Sequence, residues 1–424
     1  MEMTYKNILP GINLRFIESD RFETNCISIN FLSNSDEATV SHMTLVPRVL
    51  RRGTVRHPDM ESLAAALDDM YGARIEPVSR KYGDIMTSGF ICDFVDAEEK
   101  NLSSVMKLVY EILFEYKQEN GTFSEEYVSG ERANLIDEIK SEINNKLSYA
   151  HRRATEKMFS DSAYAISELG TEEAAESIDA NSLLKYYKRM ISESPCEIFF
   201  CGNYSQEEVE VEISKLFRHC TRKNVKAIKS ESPKYAENLR VCEKLDVSQA
   251  NLLIGMYAED VDNYVMKLLG VVIGGGTTSK LFRNVREKNS LCYFAGAMYD
   301  SFKKNIFMYC GIDPKNAKIA EDAVRAEFSD CVSGNISDEE LYDAKKAMVD
   351  DFITVEDSFA AMEAFWLRAT LIGDERTPAE VVSEIKKTDK ESVISAACSL
   401  KLSVTYLLTG LESVADERKL LSNN

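Results

Sequence analysis

Apolar and polar positions along the 424 residues follow two periods, and their order predicts alternating strands and helices. Alternation with a period of two predicts strands at residues 25–32 and 85–95. Apolar residues on one helical face predict a helix at 102–114. Further periodic segments predict helices at 41–50, 63–72, 264–270 and 317–328, and strands at 196–200, 250–257, 294–298, 306–312 and 404–408.

The order of predicted elements recurs in the second half of the chain. Ser124 precedes a long helix, predicted to run toward Phe159, and Ser337 precedes another about half the chain length later. A serine followed by acidic residues is a typical helix start. We therefore predict a repeat of one αβ unit.

The stretch at 220–237 is polar, rich in lysine and contains proline, which is typical of a linker. A repeat on either side of a linker favours an α+β fold with two homologous αβ domains, each a mostly antiparallel sheet with helices packed on it. The predicted bounds are 1–220 for the N-terminal domain, 221–240 for the linker and 241–424 for the C-terminal domain.

The charge balance narrows the classes of partner. The chain has 51 Lys and Arg against 70 Asp and Glu, a net charge of −19. This argues against nucleic acid, because binding phosphates requires a basic face. The acidic surface is compatible with basic peptide ligands and equally with a role in solubility alone.

Cysteine usage and the start of the chain favour a cytoplasmic protein without membrane contact. The ten cysteines are dispersed and form no C-x-x-C pair, which is typical of free thiols in a reducing compartment. The first residues do not have the pattern of a signal peptide, and no apolar run reaches the ~20 residues that span a bilayer.

Two short motifs suggest anion binding, and each has a plainer interpretation. Residues 274–280 resemble a phosphate loop, but Ser279 stands where that loop needs glycine and Leu281 where it needs Ser or Thr. The arginines at 48, 51, 52 and 56 could bind an anion, or could form a helix end that faces water or carboxylates.

A longer pattern in the second half resembles a known family. Residues 274–282 read GGGTTSKLF, and residues 286–293 read REKNSLCY. This resembles the second half of the pitrilysin/insulinase (inverzincin) metallopeptidases, where a glycine turn leads into S-x-L-F and then R-E-x-x-x-L-x-Y. The segment from Gly130 to Ile139 resembles the glutamate helix of that family, and Gly53-Thr54 resembles the segment after its metal motif.

The family signature H-x-x-E-H, in which two histidines bind zinc and the glutamate takes a proton from the bound water, is missing. The matching positions hold Thr44, Pro47 and Arg48, and the four histidines of the chain form no such motif elsewhere. Arginine cannot be deprotonated in proteins and does not bind zinc. The resemblance therefore implies an inactive, half-size subunit of the YmfF-like type that binds no metal or cofactor itself.

Other family positions are retained. Glu131 and Glu138 match the supporting glutamate and the third zinc ligand of active members, and their spacing of seven places them on one helical face. The alternative is that both are solvated glutamates on an acidic helix. We expect Arg48 to form an ion pair with Glu138, so that a guanidinium replaces the zinc charge.

Arg286 and Tyr293 match a pair that contacts the substrate opposite the zinc in active relatives. A guanidinium and a phenol can donate hydrogen bonds to an oxyanion and a peptide carbonyl. The alternative is that Arg286 forms a surface ion pair and Tyr293 packs in the core. The glycines Gly274, Gly275 and Gly276 are predicted to form a flexible loop on the substrate path.

The resemblance implies a non-catalytic subunit of a heterodimeric zinc metallopeptidase. Its expected partner is a half-size homologue that carries H-x-x-E-H and the zinc, and its expected ligand is a peptide substrate enclosed between the subunits. Arg286 and Tyr293 would then serve the partner's site. The alternative is a structural or peptide-binding homodimeric scaffold without a peptidase role.

Overall fold

The computed structural model describes residues 3–96, 101–160, 162–222, 225–228 and 230–411. The chain forms two compact units, and each unit collects separate stretches of sequence. Unit 1 comprises Met1–Ser141, Ile166–Glu231 and Ser358–Leu371, and unit 2 comprises Glu142–Ala165, Ser232–Asp357 and Ile372–Asn424.

The strands follow in chain order. They are β1 (Met3–Leu9), β2 (Ile12–Glu18), β3 (Thr24–Asn34), β4 (Arg74–Tyr82), β5 (Ile85–Val95), β6 (Gln118–Glu119), β7 (Thr122–Phe123), β8 (Cys196–Gly202), β9 (Leu239–Leu245), β10 (Ala250–Tyr257), β11 (Cys292–Asp300), β12 (Asn305–Ile312) and β13 (Lys401–Gly410).

The α-helices are α1 (Val40–Leu50), α2 (Met60–Asp68), α3 (Leu102–Phe114), α4 (Glu125–Ser141), α5 (Lys146–Met158), α6 (Glu172–Glu176), α7 (Ala180–Glu193), α8 (Gln206–Phe217), α9 (Asn263–Gly274), α10 (Ala317–Val332), α11 (Asp338–Ile353), α12 (Phe359–Ile372), α13 (Pro378–Lys387) and α14 (Lys390–Ser399). A π-helix covers Leu281–Lys288. Over the described part of the chain, none of the helices combines the length and apolarity needed to cross a membrane.

The main sheets of the two units repeat one topology, which confirms the predicted α+β fold of two homologous halves. The sheet of unit 1 has the order β1-β2-β8-β3-β5-β4, and that of unit 2 has the order β9-β13-β10-β12-β11. Apart from β1, the strands correspond one to one. Each sheet contains one parallel pair, β2 with β8 in unit 1 and the corresponding β9 with β13 in unit 2. All other neighbouring strands in the two sheets are antiparallel.

The predicted elements follow from burial. In β3 the apolar residues that set the strand pattern are fully buried, and the stripe on α3 packs in the same core. Ser337 caps α11, as predicted, because its side chain accepts from the backbone N–H of Glu340, whose carboxylate accepts in return from Ser337 N–H.

The prediction of a single helix from Ser124 toward Phe159 is wrong. This segment forms two helices, α4 and α5, separated by a 3-10 turn at Glu142–Asn144. Asn145 ends the turn and caps α5, since its side chain accepts from Ser148 N–H at 3.1 Å. The break matters because α4 belongs to unit 1 and α5 to unit 2.

Candidate functional site

The degenerate zinc motif lies on α1, packed within unit 1. Thr44 is 1% exposed and its hydroxyl donates to the carbonyl oxygens of Val40 and Glu168 at 3.3 and 3.1 Å. Pro47 lies inside the helix and provides no N–H for the Met43 carbonyl. The hydroxyl of Ser88 donates to that carbonyl at 2.7 Å, so the helix tolerates the proline.

Arg48 forms the predicted ion pair with Glu138. Nη1 donates to Oε1 at 2.8 Å and Nη2 donates to Oε2 at 2.9 Å, a bidentate arrangement. The guanidinium side chain is 23% exposed and the carboxylate side chain 46%. The predicted ion pair is therefore present, at the glutamate that the resemblance matches to the third zinc ligand.

A second ion pair lies beside the first. Arg52 Nη1 contacts Glu131 Oε1 at 3.2 Å, and the Glu131 side chain is largely buried. Arg48 and Arg52 are four residues apart at the end of α1, and their partners are seven residues apart on one face of α4. Each arginine therefore contacts one glutamate of α4. Arg52 was missed as a site residue, although this spacing was a usable signal.

The four clustered arginines are all engaged within unit 1. Arg48 and Arg52 form the pairs above, Arg51 Nε donates to the Ile75 carbonyl at 2.7 Å, and Arg56 contacts Glu111 at 3.4 Å. This agrees with a helix end facing carboxylates and carbonyls. Each of these four guanidinium groups has a carboxylate or carbonyl partner.

The residues at the degenerate motif do not fit a zinc ion. A threonine hydroxyl that donates to carbonyls, a proline and a protonated arginine offer no metal ligand, and both nearby glutamates are neutralised by guanidinium groups. Among the described residues there is no group of three or more His, Cys, Asp or Glu side chains that could hold a metal.

A cleft of about 490 Å³ opens at the same place, between α1 and β4. β4 is the edge strand of its sheet. The two-residue turn to β5 sets the pairing, which directs the backbone groups of Ile75, Pro77 and Ser79 away from β5. The carbonyl oxygen of Ile75 already accepts a hydrogen bond from Arg51, and Pro77 has no N–H to donate. The edge of β4 near Ser79 is therefore the part that can pair with an added strand.

Arg286 lies on the π-helix of unit 2. Its guanidinium lies 4.5 Å from the centre of the Phe282 ring. Its Nε forms a long surface ion pair with Oε1 of Glu287 at 3.7 Å, as the alternative for this residue expected. The side chain is 39% exposed. Aromatic stacking supports the guanidinium without using its hydrogen-bond donors, so most of them remain available to a ligand.

Tyr293 lies on the edge strand β11, at a register shift between Cys292 and Phe294. Its side chain is 63% exposed, so the alternative that it packs in the core is wrong. A bulge at a sheet edge redirects a side chain, which explains the exposure. Tyr293 and Arg286 line one cleft of about 440 Å³.

The polar surroundings of this cleft include Lys315 and Asp313, which pair at 2.8 Å. Burial raises the pKa of the neighbouring Cys292 thiol to about 11, against the opposing effect of Arg286. The raised pKa disfavours the thiolate form of Cys292 at pH 7. Arg286 and Tyr293 provide this cleft with hydrogen-bond donors.

The glycine loop joins α9 to the π-helix. A Cβ on Gly274 would lie 2.3 Å from the backbone nitrogen of Ala297, so this glycine lets α9 approach β11 closely. Gly275 and Gly276 are exposed, and a Cβ on Gly276 would meet nothing within 4 Å. Lys280 is buried and contacts Glu340 at 3.1 Å, which agrees with the rejection of a phosphate loop.

The comparisons with known proteins agree on one family. The family model "Peptidase M16 inactive domain" matches residues 177–348. The chain is 25% identical to the probable inactive metalloprotease YmfF of Bacillus subtilis, over 97% of this chain and 100% of that protein.

Solved structures share the fold. A conserved protein from Enterococcus faecalis superposes with a TM-score of 0.89 at 23% identity, covering 98% of this chain and 100% of the other. The peptidase M16 inactive domain from Pseudomonas fluorescens gives a TM-score of 0.80 at 15% identity, covering 97% and 98%. The predicted family resemblance is confirmed.

Proposed function

Because the chain is similar over almost its whole length to a probable inactive member of the pitrilysin/insulinase (M16) family, we propose that it is the non-catalytic subunit of a two-chain zinc metallopeptidase. Its partner would be a half-size homologue that carries H-x-x-E-H and the zinc. The two subunits would enclose a peptide substrate, and this chain would bind the peptide without cutting it.

One observation carries the proposal. Arg286 and Tyr293 line a common open cleft, whereas the positions for zinc binding have become a neutral, hydrogen-bonded part of unit 1. A chain without a peptidase role would have no evident use for two exposed donors that line one cleft. Retention of the donor pair without the metal site favours a role in trans.

The proposed chemical role is hydrogen-bond donation. When a peptide bond is attacked, negative charge grows on its carbonyl oxygen. The Arg286 guanidinium and the Tyr293 hydroxyl can donate to that oxygen or to a neighbouring peptide carbonyl. Preorganised donors are effective because they need no rearrangement during the reaction, and the Phe282 ring and the β-bulge hold these two.

Peptide binding can also use a sheet edge. An extended peptide that pairs with the edge near Ser79 in β4 would gain main-chain hydrogen bonds without a sequence requirement. The net charge of −19 favours basic peptides in this role.

The alternative is a homodimeric scaffold that binds peptides but assists no peptidase. Nothing about the Arg48–Glu138 pair discriminates between these functions, since it would be present in both. The state of Arg286 does discriminate, because a scaffold has no use for a donor at a scissile bond.

The test is reconstitution. The chain is co-purified with the H-x-x-E-H half-size homologue from the same genome and assayed on a fluorogenic mixture of unfolded peptides. We expect cleavage only by the pair, inhibition by a chelator, and loss of cleavage when Arg286→Ala and Tyr293→Phe are combined. Cleavage by the partner alone at the same rate, with this chain a homodimer, would establish the scaffold instead.

A further inference from the structure

A third cleft, with a volume of about 770 Å³, lies within unit 2 and has no role in the function proposed above. One wall is the start of α5, with Lys146 and Leu147. The other is the turn after β9, from Asp246 to Gln249. Its size is within the range of about 300–1,000 Å³ typical of ligand pockets.

The floor of this cleft is a row across three adjacent strands. Asn251 of β10 lies directly opposite Gly311 of β12, which lies opposite Phe294 of β11. A Cβ on Gly311 would lie 2.3 Å from Cε1 of Phe294 and 2.4 Å from Nε2 of Gln249. The glycine therefore lets an aromatic ring and a carboxamide lie over the middle strand.

Two carboxamides in this floor offer hydrogen-bonding groups that no described residue uses. Nε2 of Gln249 is buried without one. Asn251 is only 2% exposed, and its side chain makes no hydrogen bond to any residue that the structure describes. A buried polar group without a partner is destabilising, and a ligand in the cleft can supply that partner. The Nε2 of Gln249 and the carboxamide of Asn251 are the groups in this lining that a ligand would pair with.

The chemistry of the lining indicates the class of ligand. A carboxamide has one acceptor and one donor group, which pair with the N–H and C=O of a peptide group. Phe294 and Leu147 offer apolar surface, and Lys146 and Asp246 offer opposite charges. We propose that this cleft anchors an extended peptide segment with an apolar side chain against Phe294.

The position of the cleft relates it to the Arg286 site. Phe294 lines this cleft, and the preceding residue, Tyr293, lines the cleft of Arg286. A peptide anchored by Asn251 and Gln249 would thus be held next to the edge strand that carries Tyr293. The inference rests on the proposed function for identifying this peptide as a substrate, but not for peptide binding itself.

The test uses the full chain without its partner and a pool of random-sequence, end-blocked, fluorescein-labelled peptides, followed by fluorescence anisotropy. The variant combines Asn251→Leu with Gln249→Leu. We expect the dissociation constant to rise about tenfold or more, since both peptide-binding amides are lost. We expect the urea midpoint to stay the same or rise, because neither amide has a partner in the free protein.

Asn305→Leu is the matched control. Asn305 is an equally buried asparagine of the same sheet, but its side chain donates to the Tyr164 hydroxyl at 3.4 Å. This variant should lower the urea midpoint and leave peptide affinity unchanged. Equal peptide affinity for wild type and the double variant, or binding of an oligosaccharide mixture in place of the peptides, would overturn the assignment.

The outcomes separate this inference from the proposed function. If peptide affinity depends on Asn251 and Gln249 while no zinc-bearing partner restores cleavage, the anchoring site stands and the peptidase role fails. If the pair cleaves peptides but the double variant changes neither the dissociation constant nor KM, the anchoring site fails and the peptidase role stands.

Discussion

Arg48 in unit 1 and Arg286 in unit 2 lie in clefts of similar volume, about 490 and 440 Å³, but are held in different ways. Arg48 gives two hydrogen bonds to one carboxylate. Arg286 stacks on an aromatic ring, and its nearest carboxylate is 3.7 Å away. The first charge serves the structure of its unit, and the second remains available to a ligand.

Arg48 and Glu138 pair at positions that the resemblance matches to two zinc ligands. The Glu138 side chain is 46% exposed, and the bidentate Arg48 balances its charge within the chain. In the part of the chain that the structure describes, neither Arg286 nor Tyr293 of unit 2 donates a hydrogen bond to a carboxylate.

Introducing the H-x-x-E-H motif into α1 should produce the largest change, because it should convert the Arg48 cleft into a zinc site. Thr44→His, Pro47→Glu and Arg48→His together would place two imidazoles one turn apart beside Glu138, which residue 48 already contacts. We expect zinc binding to change from undetectable to micromolar or tighter, measured by titration calorimetry. Adding Glu138→Gln should weaken it again by at least about tenfold, since a charged ligand is lost.

If the triple variant folds but binds no zinc, α1 and α4 do not have the geometry of a metal site, and the Arg48 pair would be unrelated to a former zinc position. Circular dichroism of the variant separates this result from misfolding.

The next effect concerns the reconstituted peptidase. Arg286→Ala should lower kcat by about 10²–10³, the loss seen when one oxyanion donor is removed. Arg283→Ala is the matched control, because Arg283 lies on the same π-helix but contacts Glu339 and Asp343 at 3.7 and 3.8 Å. It should change kcat by less than about twofold. Equal losses for both variants would indicate general damage to the helix.

Stability should distinguish the two ion pairs of unit 1. Arg52→Met leaves the largely buried Glu131 without its cation and should cost about 1–3 kcal/mol. Arg48→Met leaves the more exposed Glu138, which water can solvate, and should cost at most about 1 kcal/mol. Urea unfolding at pH 7 measures both. A larger cost for Arg48→Met would reverse the assignment of their roles.

The smallest expected effect is a difference between two glutamates, Glu243 and Glu197, in how their contribution to stability depends on pH. Burial raises the pKa of Glu243 in unit 2, but hydrogen bonds from Tyr149, Tyr406 and Arg153 outweigh it, so the net shift is downward. Its contribution to stability is present above the unfolded pKa and is lost as the pH falls through the folded pKa. Glu243→Gln should therefore destabilise the protein by about 1 kcal/mol at pH 7 and less at pH 3.

The pKa of Glu197 in unit 1 is shifted in the opposite direction to that of Glu243. Burial raises its pKa, despite opposing contributions from Asn13 and Arg15. Its contribution is fully present below the unfolded pKa and is lost as the pH rises through the folded pKa. Glu197→Gln should stabilise the protein at pH 7, with no gain at pH 3. Urea midpoints of the two variants at both pH values check the contrast, and shifts of the same sign would refute it.

The repeated αβ architecture, the resemblance to the pitrilysin/insulinase family and the lack of H-x-x-E-H could all be predicted from the sequence. Hydrophobic periodicity reports which face of an element is buried, and a missing imidazole needs no structure to be recognised. The pairing of Arg48 with Glu138 was also predictable, because the family places both positions around one ion.

Tertiary structure alone decided what became of the other residues. The break between α4 and α5, the hydroxyl of Ser88 on the Met43 carbonyl and the exposure of Tyr293 at a bulge all depend on contacts between distant segments. The hydrogen bonding of the two buried asparagines also depends on such contacts. Asn305 donates to Tyr164, whereas the side chain of Asn251 makes no hydrogen bond to a described residue. Periodicity identifies buried faces, but hydrogen-bond partners are set by which strands and helices become neighbours.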